Sequence, residues 1–161
     1  MKRMILLLAL FLLSACGYTV QDSQNMRTVI GTGEQTIFLD EITQSSVYPW
    51  VPYYVQSKMH DEVNFRHLAK WAPKDEAQYL MKVSVPRFTM SAALSGATAR
   101  ALNTASVSMR VSIFDREGAL VWASGGISVN ERFLNTDETD VFKDLITRAV
   151  RKCLDKLQTE F

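Results

Sequence analysis

The stretch SVSMRVSIFDREGALVW, residues 106–122, is the most regularly patterned part of the chain. Its odd positions from 107 to 113 are Val, Met, Val and Ile, whereas the even positions from 106 to 112 are Ser or Arg. A period of two places apolar side chains on one face of a β-strand and polar side chains on the other. Asp115 to Gly118 then supplies a short connection in which Gly118 can take a left-handed backbone, before apolar residues resume at Leu120. The stretch therefore predicts a β-hairpin in a sheet with one buried face.

Further strands are predicted on both sides of this hairpin. From Tyr79 to Val85 apolar residues occupy every second position, and beyond Pro86 the phase of the alternation changes. Such a change requires a bulge, which we place near Arg87. Residues 91–103, SAALSGATARALN, are small and weakly patterned, which indicates either a loop or an irregular extension of a strand. A strand is also predicted from Leu120 to Phe133, with a kink at its two consecutive glycines.

The remaining elements are one more strand and two helices. Strand-forming residues run from Gln35 to Ile42. Apolar residues at helical spacing predict a helix from Pro52 to Lys70, stopped before Pro73, and a second helix with an apolar stripe from Val141 to Leu157. Residues 135–138, Asn-Thr-Asp-Glu, are the predicted N-cap region of that second helix. The order β-α-β-β-β-α predicts an α+β fold, a two-layer sandwich in which two helices cover a mostly antiparallel or mixed sheet of about four strands.

The N-terminus has the pattern of a secretory signal. Two basic residues precede the apolar run Met4 to Leu13, which is shorter than the ~20 residues that a membrane-spanning helix needs. An ordinary signal peptide cut near Ala15, or a buried N-terminal helix, does not explain why a cysteine follows Leu-Ser-Ala directly. The segment resembles a bacterial lipobox. That resemblance implies removal of residues 1–15 and attachment of N-acyl and S-diacylglycerol lipid to Cys16.

These features divide the chain into three parts. Residues 1–15 are the predicted signal peptide, residues 16–33 a polar, lipid-anchored tether, and residues 34–161 a single α+β domain. Several acyl chains would hold such a protein firmly at a membrane without spanning it. Bacterial lipoproteins with Asp after the modified cysteine tend to stay in the inner membrane, whereas this chain has Gly17. By that resemblance the expected location is the outer membrane, on its periplasmic side.

Composition and motifs limit the classes of function. The formal net charge of +1 argues against a general nucleic-acid binder. Only His60, His67 and Cys153 could supply nitrogen or sulfur ligands outside Cys16, so a metal site is not expected. Cys153 falls on the apolar stripe of the last helix, where a buried thiol is expected. Since no nucleophile, phosphate-loop or zinc-protease motif occurs, we expect no enzyme and no cofactor besides the lipid. An enzyme whose site is assembled from distant residues is the less favoured alternative.

The mature chain resembles the lipopolysaccharide-assembly lipoprotein family, LptE. The resemblance rests on Cys16-Gly17-Tyr18, the strand 36–39, the acidic-Ala step at Glu76-Ala77, the long paired strands and the amphipathic last helix. It covers nearly all of the mature chain, although the turn at 43–46 lacks the Asn that many members have there. It implies a non-enzymatic outer-membrane lipoprotein that assists the assembly of the large lipopolysaccharide translocon barrel, LptD, and plugs it. The same resemblance implies contact with lipopolysaccharide during its insertion into the outer leaflet.

Arginines are the candidate ligands for the phosphates of lipopolysaccharide, because a guanidinium group binds phosphate through two hydrogen bonds. Arg87 at the bulge and Arg100 in the small-residue segment are predicted to form part of a ligand-contacting tip, with Arg110 and Arg132 behind them. The polar face of strand 106–112 would meet the barrel lumen, or be exposed to solvent. The alternative function is that of a lipoprotein subunit of another envelope machine, such as a lipid-transport accessory or a secretin pilot protein.

Overall fold

The structure is a computed structural model that describes Ile30 and residues 33–95, 100–134 and 137–159. Within these ranges the side chains of residues 93–101 and 159 are not described, and Cys16 lies outside the described residues. The helices are α1 (Val51–Phe65) and α2 (Glu138–Thr159). The strands are β1 (Thr36–Gln44), β2 (Lys70–Trp71), β3 (Tyr79–Ser95), β4 (Arg100–Phe114), β5 (Leu120–Ala123) and β6 (Ile127–Phe133).

The six strands form one mixed sheet in the order β2-β1-β3-β4-β5, and β6 also pairs with β4. β1 runs parallel to β2 and β3, whereas β4 is antiparallel to β3, β5 and β6. The predicted α+β class and two-layer sandwich are confirmed. The sheet has more strands than the predicted four because the short β2 joins its edge and the last predicted strand is divided in two.

Both helices cover the same face of the sheet. Val107, Met109 and Val111 of β4 point to that face and are 0% exposed. Phe88 of β3 stacks on Phe142 of α2, with ring centroids 4.0 Å apart. The buried helix residues recur at helical spacing: Val51, Val55, Met59 and Val63 on α1, and Val141, Phe142, Leu145, Ile146, Ala149, Val150, Cys153, Leu154 and Leu157 on α2. We call the opposite surface of the sheet the open face, since no described element packs against it.

The predicted hairpin between β4 and β5 is confirmed. Gly118 has φ +85°, in the left-handed region that only glycine adopts without strain. The Asp115 carboxylate accepts a hydrogen bond from the Ala119 amide at 2.8 Å, and the backbone pairs the same two residues at 3.0 Å. The kink in the following strand is also confirmed, because Gly125 has φ +67° and separates β5 from β6.

The prediction for the first helix is wrong at its C-terminal end. α1 ends at Phe65 rather than Lys70, and His67 then takes φ +52°. The chain after it pairs with β1, since Lys70 N donates to Gln35 O at 2.8 Å. Backbone pairing with a distant strand thus replaces the last turn of helix that the local pattern favoured.

The start of the domain differs from the prediction, and two other segments agree with it. β1 extends to Gln44, and Ile30, within the predicted tether, is buried in the core. Of the two alternatives predicted for 91–103, the described residues 91–95 and 100–103 confirm the strand extension, with Ser91 opposite Thr104. Within the predicted N-cap region 135–138, Asp137 caps α2 through its carboxylate, which accepts from the Thr139 amide at 2.7 Å, while residues 135 and 136 lie outside the described residues.

Candidate functional site

The open face is polar along most of its length. Cross-strand pairing places Thr43 of β1 beside Ser84 of β3, which lies beside Arg110 of β4. The next cross-strand rows, towards the far end of β3, are also polar. There the Ser108 and Ser128 hydroxyls are hydrogen-bonded at 2.7 Å. These side chains point away from the helices because neighbouring residues along a strand alternate between faces. The polar half of the pattern in 106–112 therefore forms a continuous surface.

Three arginines on the open face have no partner among the described residues. Arg87, Arg110 and Arg132 are exposed, and none of them makes a hydrogen bond or ion pair within that part of the chain. Lys82 differs, because its ammonium group lies 3.2 Å from the Glu41 carboxylate. The open face thus carries guanidinium groups that its own acids leave free.

Arginines elsewhere in the described structure are satisfied internally. Two of them bind one buried carboxylate, since Arg66 Nε and Arg151 Nε lie 3.1 Å and 2.5 Å from Glu62, which is 7% exposed. Arg148 also pairs with Glu131 and Asp144, Arg66 with Asp155, and Arg116 donates to the backbone carbonyls of Ala77 and Asp75. The division between paired and free guanidinium groups therefore follows the faces of the sheet.

The bulge predicted near Arg87 is present, since the β3–β4 register shifts between Ser84 and Arg87. It sets Arg87 opposite Ser108, two residues from Arg110, and such diagonal neighbours are roughly 7–8 Å apart. The two side chains can therefore reach one phosphate group together.

The other two predicted arginines lie farther along the sheet. The backbone of Arg100 lies opposite Ser95, about 27 Å from Arg87 at 3.4 Å per residue, and its side chain is outside the described part. Arg132 lies opposite Thr104, about 20 Å from Arg110. The structure therefore brings Arg87 together with Arg110, not with Arg100.

A shallow depression of about 200 Å³ lies beside Arg110. Its lining includes Glu41, Thr43, Lys82, Ser84, Arg110 and Phe114. At this end of the open face Phe38, Leu80 and Phe114 form a half-buried apolar row across three strands. The depression thus combines the unpaired guanidinium group of Arg110 with an apolar border, a combination suited to an amphipathic anion.

Of the other concave regions among the described residues, two contain basic or imidazole side chains. One, of about 690 Å³, lies between α1 and α2, and its floor is the Glu62 cluster, in which acids already neutralise the cations. The other, of about 290 Å³, is bordered by His60 stacked on Trp71, with ring centroids 3.9 Å apart. Burial lowers the pKa of His60. Neither region contains an unpaired cation comparable to Arg110.

Cys153 is buried, as the sequence predicts, and is not disulfide-bonded. Burial raises the pKa of its thiol to about 11, so the thiol is protonated at neutral pH. In the described ranges no group of three or more His, Cys, Asp or Glu side chains is placed to hold a metal ion. No described helix is long and apolar enough to cross a membrane.

Comparisons with known proteins bear on the fold. The sequence matches no family model, and no curated protein matches it. Among solved structures, a minor lipoprotein from Acinetobacter baumannii is similar over 77% of this chain and 92% of its own, with a TM-score of 0.54 and 8% identity. Lipoprotein GNA1162 from Neisseria meningitidis covers 76% of this chain and 99% of its own, with a TM-score of 0.51 and 11% identity. The hypothetical protein CT253 from Chlamydia trachomatis covers 78% and 96%, with a TM-score of 0.52 and 8% identity.

The chain therefore shares its fold with bacterial lipoproteins. At such low identity the likeness extends to the backbone architecture alone. The resemblance to the LptE family, the attachment of lipid to Cys16 and the phosphate-binding role of the four arginines stay predictions.

Proposed function

We propose that the protein is a lipid-anchored, non-enzymatic lipoprotein of the outer membrane that binds the lipopolysaccharide translocon barrel as a plug and contacts lipopolysaccharide on its way to the outer leaflet. The observation that carries this proposal is the open face with its three free arginines. The N-terminal lipobox pattern and the fold shared with lipoproteins support the anchor and the envelope location.

Phosphate recognition follows from the placement of Arg87 and Arg110. Neither guanidinium group has an acid partner among the described residues, so binding an anion does not first require one of their ion pairs to break. Each group can donate two parallel hydrogen bonds to a phosphate. The apolar row that includes Phe38 and Phe114 would contact acyl chains near the same site.

A plug must also present hydrogen-bonding groups to the polar wall of a barrel lumen. The described serine and threonine side chains of the open face, such as Ser106 and Thr89, meet this requirement on both β3 and β4. Such side chains form hydrogen bonds to a partner or to trapped water without leaving a charge buried.

A binding assay with purified lipopolysaccharide tests the proposed ligand. We expect the double variant Arg87→Ala, Arg110→Ala of the full-length acylated protein in mild detergent to bind purified lipopolysaccharide at least about tenfold more weakly, because it removes charge-assisted hydrogen bonds of ~1.5–3 kcal/mol each. The matched control, Lys143→Ala with Lys152→Ala, removes two positive charges from α2 and should bind as the parent does. Equal binding by the parent and the arginine double variant would exclude this site.

Affinity purification tests the partner. The acylated protein, recovered from mild-detergent extracts, should carry one large outer-membrane barrel at near-equal stoichiometry, identified by mass spectrometry. Recovery of a ring-forming secretin or an inner-membrane transporter would instead favour a subunit of another envelope machine.

A further inference from the structure

β3 continues far beyond the strand that covers one of its edges. β1 ends its pairing at Gln44, opposite Val85. Ser45 closes this edge locally, since its amide donates to Val85 O at 3.1 Å and its hydroxyl to Pro86 O at 2.9 Å. β3 runs on to Ser95, and no described strand pairs with this edge after Val85.

The hydrogen-bond pattern shows which backbone groups face this edge. The backbone of Val111 forms its hydrogen bonds on the side away from β3, because its carbonyl accepts from the Ser124 amide at 2.9 Å. Backbone groups of an antiparallel strand alternate between its two neighbours, so the even-numbered residues of β4 bond to β3. Arg87 lies opposite Ser108, and the amides and carbonyls of Phe88, Met90 and Ala92 therefore face outward. We call the outward-facing side of residues 88–92 the free edge.

The free edge lacks the usual protection against strand pairing. Natural edges carry prolines, bulges or charged side chains that block a further strand. Here the proline and the bulge occur at Pro86 and Arg87, and the sequence from 88 to 95, FTMSAALS, contains neither a proline nor a charge. Nothing in the described structure therefore blocks an added strand along this part of the backbone.

The two surfaces next to the free edge differ in chemistry. On the helix side Phe88 packs on Tyr48, with ring centroids 5.6 Å apart, and Met90 is 44% exposed. On the open face Arg87 is exposed and without a partner among the described residues. An added strand would thus meet apolar side chains on one face and a free guanidinium group on the other.

We propose that the free edge binds an extended segment of a partner protein in which acidic and apolar residues alternate, by addition of that segment as a strand. The backbone of the segment bonds to Phe88, Met90 and Ala92, and its acidic side chains lie beside Arg87. A second copy of this chain supplies no such match, because its own edge has no acidic residue between 86 and 95. The proposal goes beyond lipopolysaccharide binding and holds for any envelope partner that presents such a segment.

Hydrogen exchange of the full mature protein in detergent micelles tests the proposal, with an acetylated and amidated seven-residue peptide of alternating Glu and Val as the probe. The expected result is exchange at least about tenfold slower at the amides of Phe88, Met90 and Ala92, with Thr89 and Ser91 unchanged. A matched peptide of alternating Lys and Val should protect these amides at least about tenfold less well. No lipopolysaccharide is present, so the result is independent of the function proposed above.

Two variants make the test specific. Met90→Pro removes one outward amide and should abolish binding, with unchanged exchange of the core amides as the check that the fold is intact. Arg87→Glu keeps the backbone and should reverse the preference towards the Lys peptide. Absence of protection, or an unchanged charge preference in Arg87→Glu, would overturn the proposal. Slow exchange of these amides before any peptide is added would also overturn the proposal. If that protection depends on protein concentration, a second copy of the chain covers the edge. If it does not, the chain's own N-terminal segment covers the edge.

Discussion

The two faces of the sheet are built from alternate residues of the same strands, yet they differ in almost every physical property. Val107, Met109 and Val111 are fully buried beneath the helices, whereas Ser108 and Arg110 between them lie on the open face. The period of two lets one strand serve both surfaces. On these strands, the side chains that stabilise the fold and the side chains available for binding are therefore separate sets.

The charged groups show the same division. On the helix side Glu62 binds Arg66 and Arg151, so a buried carboxylate and its cations satisfy one another. On the open face Arg87 and Arg110 have no such partner among the described residues. A surface that leaves cations unpaired gains no stability from them, which is expected where they serve an external ligand.

The largest expected change in the free energy of unfolding distinguishes a buried phenylalanine from one on the open face. Phe142 is 1% exposed and stacks on Phe88, so Phe142→Ala should lower the free energy of unfolding by ~3–5 kcal/mol. Phe114 is half-buried on the open face, and Phe114→Ala should cost about 1 kcal/mol. Urea unfolding followed by circular dichroism measures both. Similar losses for the two variants would mean that the open face is covered as well.

Thiol reactivity gives the next contrast. Burial raises the pKa of Cys153 to about 11, against about 8.5 for a free cysteine, so little thiolate exists at pH 8. In the folded protein Cys153 should react with iodoacetamide at least about a hundredfold more slowly than the cysteine of Thr89→Cys on the open face, made in a Cys153→Ser background. Peptide mass spectrometry identifies the alkylated residue. Comparable rates would place Cys153 in contact with solvent.

Replacing one acid on each face of the sheet by its neutral amide tests the electrostatic difference between the two faces. Glu62→Gln leaves Arg66 and Arg151 without their shared carboxylate and should lower the free energy of unfolding by ~1–2 kcal/mol. Glu41→Gln, at a half-exposed carboxylate that pairs with Lys82, should change it by less than about 0.5 kcal/mol. Chemical denaturation at low and high salt compares the two variants. A larger loss of stability for Glu41→Gln would contradict the conclusion that ion pairs stabilise the helix side more than the open face.

The smallest expected change in the free energy of unfolding comes from replacing an unpaired arginine on the open face. Arg110→Ala should change the free energy of unfolding by no more than about 0.5 kcal/mol, because the side chain is exposed and makes no internal ion pair in the described structure. Arg148→Ala, which breaks the contacts with Glu131 and Asp144, is the paired control and should cost more. A clear destabilisation by Arg110→Ala would reveal a structural role for that arginine.

Most elements of this fold could be predicted from periodicity, and the errors occurred where distant contacts decided the outcome. The alternation around Val107 and the apolar stripe of α2 are local signals repeated over many residues. β2 is two residues long, too short for a periodic signal, and forms because Lys70 and Trp71 pair with β1. The same pairing ended α1 early, although Leu68 and Trp71 fitted the apolar pattern of a helix.

The candidate site was predictable only in part. The bulge near Arg87 followed from the change of phase at Pro86 and is confirmed, whereas arginine as a phosphate ligand stays a prediction from residue chemistry. The proximity of Arg87 to Arg110 could not be predicted, because it depends on which residues of β3 and β4 lie opposite each other across the bulge. A shift of one residue in that register would have sent the side chain to the other face.

The fold class, the polar and apolar halves of the strands, the hairpin at Gly118 and the burial of Cys153 were all predictable from the sequence. These properties depend on side-chain chemistry and on spacing within one segment. Tertiary structure alone decided which guanidinium groups found acids, that Arg87 lies beside Arg110, and that β3 extends past β1 with a free edge. Those outcomes depend on strand register and on where neighbouring strands end, which no single segment of sequence encodes.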